Sequence, residues 1–312
     1  MFQWATNPAS PRGTLPRWIH GVPFVLSALF FLSAFFSLFA PLPILFVFFR
    51  SGRKWAWGVA LVNALLVALL AGWVSFFLYT IFVLTLAMAM GECLSRKLSL
   101  EKTVGVSLLA VGVVSAIAIG VYSGVHHVKP WVEIQTQASV LVDMVSESIM
   151  KGGTGDTALL EVADKAEWKA SLLVEFPSAL AVFSLILAWI NLMALFRFNP
   201  GGVRDTLGIT PDYFKRWKSP DFLVWPAIVC GALLLLKFGW VSDVALNVFK
   251  FLMAIYALHG LSILGFLLDI WGVKGPLRAL AVGVAVFLMM PLLLSLGFFD
   301  LWFDFRSKFR QS

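Results

Sequence analysis

The 312-residue chain is 60% hydrophobic and only 13% charged, with a formal net charge of +7 at pH 7. A soluble domain carries roughly a quarter of its residues as Asp, Glu, Lys and Arg, so a water-soluble globular fold is excluded. The excess positive charge lies in short loops between apolar runs, which suits anionic lipid and a positive-inside topology and excludes nucleic acid as the partner.

Apolar runs near the ~20 residues needed to cross hydrocarbon recur along the whole sequence. In lipid only helices and closed barrels satisfy the backbone, and these runs lack barrel-type alternation. The pattern predicts an all-α polytopic transmembrane bundle of about eight to ten spans, with short broken helices at 22–50 and 277–305. The implied location is a membrane, crossed several times.

Residues 1–21 are basic and contain proline, and are expected in the cytoplasm. Arg12 and Arg17 before an apolar run imitate a secretory signal. The cut it would need, after Ala40, has Leu38 at a small-residue position and Pro41 following, so the segment reads as a retained helix. The first span is expected over 22–39, broken by Pro41 and Pro43, with a short arm over 44–49 ending at Arg50. Basic residues stand on both sides (Arg12 and Arg17, then Arg50, Arg53 and Lys54), which favours a hairpin. Residues 55–71 and 73–90 read as two spans turning at Gly72 and reaching a cytoplasmic loop with Glu92, Arg96 and Lys97. Residues 103–125 cross outward and close an N-terminal membrane unit, 22–125.

Residues 126–171 form the one long hydrophilic segment, expected outside the membrane. Trp131, Ile134, Ala138, Leu141, Val145 and Ile149 recur at helical spacing, Gly152, Gly153 and Gly155 interrupt, and 156–169 reads as a second short helix. The segment is either a connector lying on the membrane surface or a lid over an outward-facing cavity. A C-terminal membrane unit, 172–298, begins with the span 172–196, which carries Glu175, Pro177 and Asn191. The basic loop 197–220 follows. In it Thr210, Pro211 and Asp212 signal a helix start, with Tyr213, Phe214 and Trp217 expected among the headgroups. Spans over 222–238 and 243–271 come next, then 280–296 with Pro291 inside it. A bend at Pro291 would return the basic tail, 299–312, to the cytoplasm, whereas one straight span would put it outside.

The helix over 243–271 organises the chemistry, because it carries Asn247, Lys250, His259, Ser262 and Asp269 inside an apolar run. An intramembrane charge costs at least about 2.5–3.5 kcal/mol, so each needs a partner or water. Glu175 and Lys250 have opposite signs at matching depth, and Asn247 lies one turn from Lys250. Together they predict an outward-facing polar pocket, against the plainer reading that both charges snorkel to headgroups. His259 and Asn63 are the second choices for ligand contact, set against a role in hydrogen bonding between helices. Asp269, Lys274 and Arg278, with Arg96, Lys97 and Arg204, form either an anchoring charge network or a docking surface for a cytoplasmic or membrane partner. No phosphate loop, HExxH or GxSxG occurs, so no catalytic residue and no cofactor is assigned. His126 and His127 are two adjacent side chains and do not make a metal site, and Cys93 and Cys230 have no ligand spacing.

The closing run Gly297-Phe298-Phe299-Asp300-Leu301-Trp302-Phe303-Asp304-Phe305-Arg306 resembles the C-terminal motif of the YybS-like, DUF2232 family of predicted bacterial membrane proteins. Pro177 with Asn191 and Arg197, and Phe214 with Trp217 and Pro220, look similar as well. Pro41-Leu42-Pro43-Ile44 through Arg50-Ser51-Gly52 to Gly58 is similar to the short second helix of substrate-binding S-components of energy-coupling-factor vitamin transporters. That resemblance implies a small-molecule cavity open to the outside and an ATPase-bearing cytoplasmic partner. The 126–171 insertion and the additional C-terminal spans depart from the compact S-component pattern. The expectation is therefore a non-enzymatic, multi-pass protein of the bacterial cytoplasmic (inner) membrane that binds or helps move a small or lipid-like molecule. The alternative is a scaffold or assembly factor working through 126–171 and the basic loops.

Overall fold

The computed structural model describes residues 22–33, 35–127, 162–210, 212–236 and 239–310, with single positions 129, 132, 135, 136, 139, 140 and 143. Among them there are helices and no strands. Helices α1 (Pro23–Leu32) and α2 (Leu42–Ser51) are joined through a 3-10 turn at Ser37–Phe39. The first span was expected to continue to 39, but α1 stops at Leu32 because Ser33 is extended (φ −89, ψ 123). Pro41 and Pro43 do not end that helix. They stand at the start of α2, where a residue without an N–H forfeits no hydrogen bond.

Helix α3 (Arg53–Leu78) passes through a π-helical turn (Tyr79–Leu84) into α4 (Thr85–Ser95). These 43 contiguous residues are interrupted at Gly72, whose φ of 79 and ψ of 179 are outside the helical region. A straight helix of that length would be about twice as long as the ~30 Å hydrocarbon layer is thick. The break divides it into two arms near one crossing each, at the residue where the sequence places a turn. A side chain is strained at such a φ, which is why glycine stands there. Ala64 and Val67 before the break, Tyr79 and Val83 after it, and Ile44 and Leu45 of α2 bury into one core. Helix α5 (Leu100–His126) then packs on α4, its N-terminus capped by Ser99 Oγ accepting from the Lys102 N–H.

Helix α6 (Val162–Phe198) is one continuous helix of 37 residues. The sequence suggested a short helix over 156–169 and a separate span from 172, but Ala170 and Ser171 between them are helix-compatible and nothing breaks the run. The helix expected across 131–149 and its glycine break at 152–155 fall outside the described residues, apart from isolated positions. Short helices α7 (Val203–Thr206) and α8 (Tyr213–Arg216) form the following loop. Then come α9 (Val224–Leu236), α10 (Trp240–Ile270), α11 (Gly275–Leu288), α12 (Met290–Phe303) and α13 (Phe305–Arg310).

Among the described residues four stretches are long and apolar enough to cross a membrane: Arg53–Ser95, Leu100–Val125, Ala170–Phe198 and Trp240–Ile270. The α11–α12 pair makes a fifth, bent by 92° at Met289. Pro291 occupies the first turn of α12, so the break expected from it falls just before it. The bend settles the course of the tail, because Arg306 donates to the carbonyls of Arg216 (3.2 Å) and Trp217 (2.8 Å). Tail and basic loop share one end of the bundle. Helices α10 and α12 meet through bare backbone. A Cβ on Gly260 would land on the carbonyl oxygen of Leu293, and one on Gly297 on that of Tyr256.

Candidate functional site

Glu175, Asn247 and Lys250 do come together, about 30 Å along α10 from the basic end. Lys250 Nζ lies 2.5 Å from Glu175 Oε1, both side chains being partly exposed. Asn247 has a different task. Pro177 has no N–H and cannot continue the α6 ladder, and the next rung, from the Ser178 N–H to the Val174 carbonyl, is filled by the Asn247 carboxamide. Its Oδ1 accepts from Ser178 N and its Nδ2 donates to Val174 O, both at 2.8 Å.

Asn63 and Asn191 repeat the scheme. Each donates from Nδ2 to the carbonyl one turn back on its own helix, Val59 or Leu187. Each also donates to a carbonyl at a helix end elsewhere, Pro23 or Leu38. Asn63 Oδ1 additionally accepts from the Ala28 N–H at 2.8 Å. Where helices are broken inside a membrane, neighbouring side chains must take up the freed backbone groups. All three asparagines do so; the carboxamides of Asn63 and Asn247 are thereby occupied at both ends, whereas Asn191 Oδ1 is buried without a partner among the described residues.

His259 is not part of that group. It is 1% exposed, and its Nε2 faces Asp300 Oδ2 at 3.2 Å, the aspartate being 3% exposed. Its Nδ1 lies 3.2 Å from Ser219 Oγ. Asp300 Oδ1 also accepts from the Phe305 N–H at 2.8 Å, across a turn that Asp304 makes in the left-handed region (φ 40). Arg306 then reaches Ser262 Oγ at 2.9 Å, and Ser262 donates to the Trp217 carbonyl at 2.9 Å. Burial lowers the affinity of the Arg306 guanidinium for its proton, with Asp300 and Asp304 acting against this. The closing motif Asp300, Asp304 and Arg306 thus fastens the tail to α10 and to the 217–219 segment.

Trp217 departs from expectation. It lies not among headgroups but 6% exposed, its ring centroid 4.5 Å from that of Trp189. The extended backbone after α8 (φ −63, ψ 137 at Trp217) turns the indole into the bundle. Its Nε1 donates to Glu101 Oε1 at 3.0 Å, as does the Tyr213 hydroxyl at 3.0 Å. Burial first and the Glu101 carboxylate second push the Tyr213 phenol well above its ordinary range.

A cavity of about 850 Å³ opens at the basic end between α6 and α10, covered by the α7–α8 loop and α11. Trp189, Met193 and Phe196 line it from α6 and Leu258 and Leu261 from α10. Arg197, Arg204, Lys215 and Arg278 also line it, and among the described residues no carboxylate does. Asp269 stands behind the wall. Lys215 Nζ is 2.7 Å from it and 2.9 Å from Asp212, and Arg278 pairs with the same Asp269. These two hydrogen bonds, Asp269 before Asp212, raise the Lys215 ammonium pKa.

Of the charge cluster expected at this end, Asp269, Arg278 and Arg204 stand at the cavity. Arg96 pairs with Glu92 at 2.7 Å, Lys97 forms the turn after α4 (φ 57), and Lys274 precedes α11 in extended conformation. Sequence reasoning missed the cavity, Ser219, Glu101 and the role of Trp217. The available signal was the run of cations on both sides of the loop, Arg197, Arg204, Lys215 and Arg278, next to a helix with Gly265 in its wall. Among the described residues no cluster of His, Cys, Asp and Glu could hold a metal ion, and Cys93 and Cys230 are free and buried.

The family described as "Predicted membrane protein (DUF2232)" matches residues 22–301, and the chain belongs to it. No curated protein and no solved structure matches.

Proposed function

We propose that this DUF2232-family integral membrane protein binds a lipid-like amphiphile in the cavity between α6 and α10, without transforming it. The observation that carries this reading is the cavity itself: about 850 Å³, apolar along Trp189, Met193, Leu258 and Leu261, and cationic at Arg197, Arg204, Lys215 and Arg278. Ligand sites are concave, largely apolar and fixed by a few placed polar groups, and this volume lies within the usual range of several hundred Å³. A site that is greasy within and charged at one end takes a molecule of the same build. The Glu175–Lys250 region supports ligand binding less well, because the two charges satisfy each other and Asn247 is spent on backbone.

By the positive-inside rule the end that collects Arg197, Lys215 and Arg278 is cytoplasmic, in the inner membrane of a bacterium. The cavity would then draw its ligand from the inner leaflet.

The test is Gly265→Leu. A Cβ there makes only ordinary contacts, 3.6 Å to Arg278 Nη2 and 3.8 Å to Lys215 Cγ, so the helix tolerates a side chain that grows into the cavity. Native mass spectrometry of protein extracted in mild detergent should find a lipid adduct on the wild type and little on the variant. Equal adducts on both, or none on either, would sink the proposal.

A further inference from the structure

We infer that the ligand of this cavity is a phospholipid whose headgroup bears a phosphodiester and no compensating cation. This rests on the amphiphile-binding reading and names its ligand class. Among the described residues every ionisable side chain lining the cavity is a cation. Behind them stand three carboxylates. Asp205 takes Arg204 at 3.1 Å, Asp212 takes Lys215, and Asp269 takes both Lys215 and Arg278. Four cations against three carboxylates leave one positive charge. Arg197 has no carboxylate partner among the described residues, and it stands in the last turn of α6. One uncompensated positive charge is what a single phosphodiester neutralises.

The donors suit that group in kind as well as number. A guanidinium presents parallel N–H donors that match two phosphate oxygens, and such charge-assisted pairs are stronger than neutral ones. Three of the four lining cations are arginines. Two of the four, Lys215 and Arg278, approach each other over Gly265, where the absence of a side chain leaves the wall between them open. Apart from the hydroxyls of Thr210 and Ser262, the latter already engaged by Trp217 and Arg306, the rest of the lining is apolar, Leu258, Leu261, Trp189 and Met193 among it, and offers contact to acyl chains. Free phosphate would use the cations and waste the walls. A neutral diacylglycerol would use the walls and leave the positive charge unpaired.

The experiment presents delipidated full-length protein with phosphatidylglycerol, phosphatidylcholine, diacylglycerol or inorganic phosphate. It reads binding by native mass spectrometry and by the shift in thermal unfolding, for wild type, Arg197→Gln and Gly265→Leu. Phosphatidylglycerol should bind the wild type about tenfold more tightly than phosphatidylcholine or diacylglycerol, as expected for one charge-assisted contact. Arg197→Gln should erase that preference and leave diacylglycerol binding unchanged. Arg197 is exposed, so its replacement leaves the packing intact. Inorganic phosphate alone should give no shift. Equal binding of phosphatidylglycerol with either other lipid, or an unchanged preference in Arg197→Gln, overturns the headgroup assignment while the amphiphile reading stands. A shift with free phosphate as large as with phosphatidylglycerol overturns the lipid assignment. Lipid binding undiminished by Gly265→Leu overturns the cavity reading itself.

Discussion

Asn247 fills the rung of α6 that opens one residue after Pro177. Its carboxamide accepts from the Ser178 N–H and donates to the Val174 carbonyl, both at 2.8 Å. A proline in the middle of a soluble helix costs about 3 kcal/mol or more. In a membrane the same break is tolerable when a neighbouring helix closes the ladder. Asn247 also donates to the Asp243 carbonyl on its own helix, so one amide ties three backbone groups.

This relationship gives a double-mutant cycle. Asn247→Leu leaves the Ser178 N–H and the Val174 carbonyl without a partner and should destabilise by about 1–3 kcal/mol. Pro177→Ala restores the N–H at 177 and lets the Ser178–Val174 rung close unaided. In that background Asn247→Leu should cost clearly less, nearer the roughly 0.6 kcal/mol typical of an interhelical hydrogen bond. Reversible unfolding in mixed micelles measures both. Equal costs in the two backgrounds would show that the amide acts independently of the proline.

The Glu175–Lys250 pair makes the opposite demand. Removing one charge strands the other within the membrane, at a cost of at least about 2.5 kcal/mol on insertion scales, while removing both together does not. Glu175→Gln and Lys250→Met should each lower the unfolding temperature, and the double variant should recover most of the loss. A double variant as unstable as the sum of the two would mean that each charge has a separate partner.

Much of the fold was legible because the hydrocarbon layer imposes lengths. Gly72 stood as a turn because the flanking apolar run was too long for one crossing, and the structure breaks there. The neighbourhood of Glu175, Asn247 and Lys250 followed from matching depth and opposite sign. What could not be read was which backbone groups the asparagines would serve. That depends on where helices break, and α1 breaks at Ser33, well before the prolines that drew attention. The buried group of His259, Asp300 and Ser219 was equally out of reach. Its members lie 40 and 41 positions apart along the chain, and nothing local announces their meeting. The cavity was hidden for a further reason: Met193, Leu258 and Leu261 look like any apolar helix face until the two helices stand apart.

The α10–α12 contact depends on two glycines. A Cβ at Gly260 or Gly297 would collide with a backbone carbonyl of the opposite helix, which cannot rotate away as a side chain can. Gly260→Ala and Gly297→Ala should each push the helices apart, weaken the His259–Asp300 contact and cut the folded yield. Gly283→Ala, with nothing within 4 Å, is the matched control and should be silent or slightly stabilising. Size-exclusion recovery after mild heating separates the three. A stable Gly260→Ala protein would contradict the close crossing.

The Tyr213 phenol sets a pH dependence at the basic end. Burial and the adjacent Glu101 carboxylate raise its pKa in the folded state, whereas in the unfolded chain it ionises near pH ~10. Above that pH the unfolded state releases a proton that the folded state retains, so alkali favours unfolding. The contribution of this group is thus complete below the unfolded value and disappears as pH climbs toward the folded one. Tyr213→Phe removes the hydroxyl that donates to Glu101, at a cost of about 0.5–1.5 kcal/mol at neutral pH. It also removes the alkaline penalty. The unfolding temperature of the variant should therefore start below that of the wild type at pH 8 and fall less steeply between pH 10 and pH 11.5, so that the two curves converge. Parallel curves over that range would mean that the phenol ionises equally in both states and that its contact with Glu101 is not held in the folded protein.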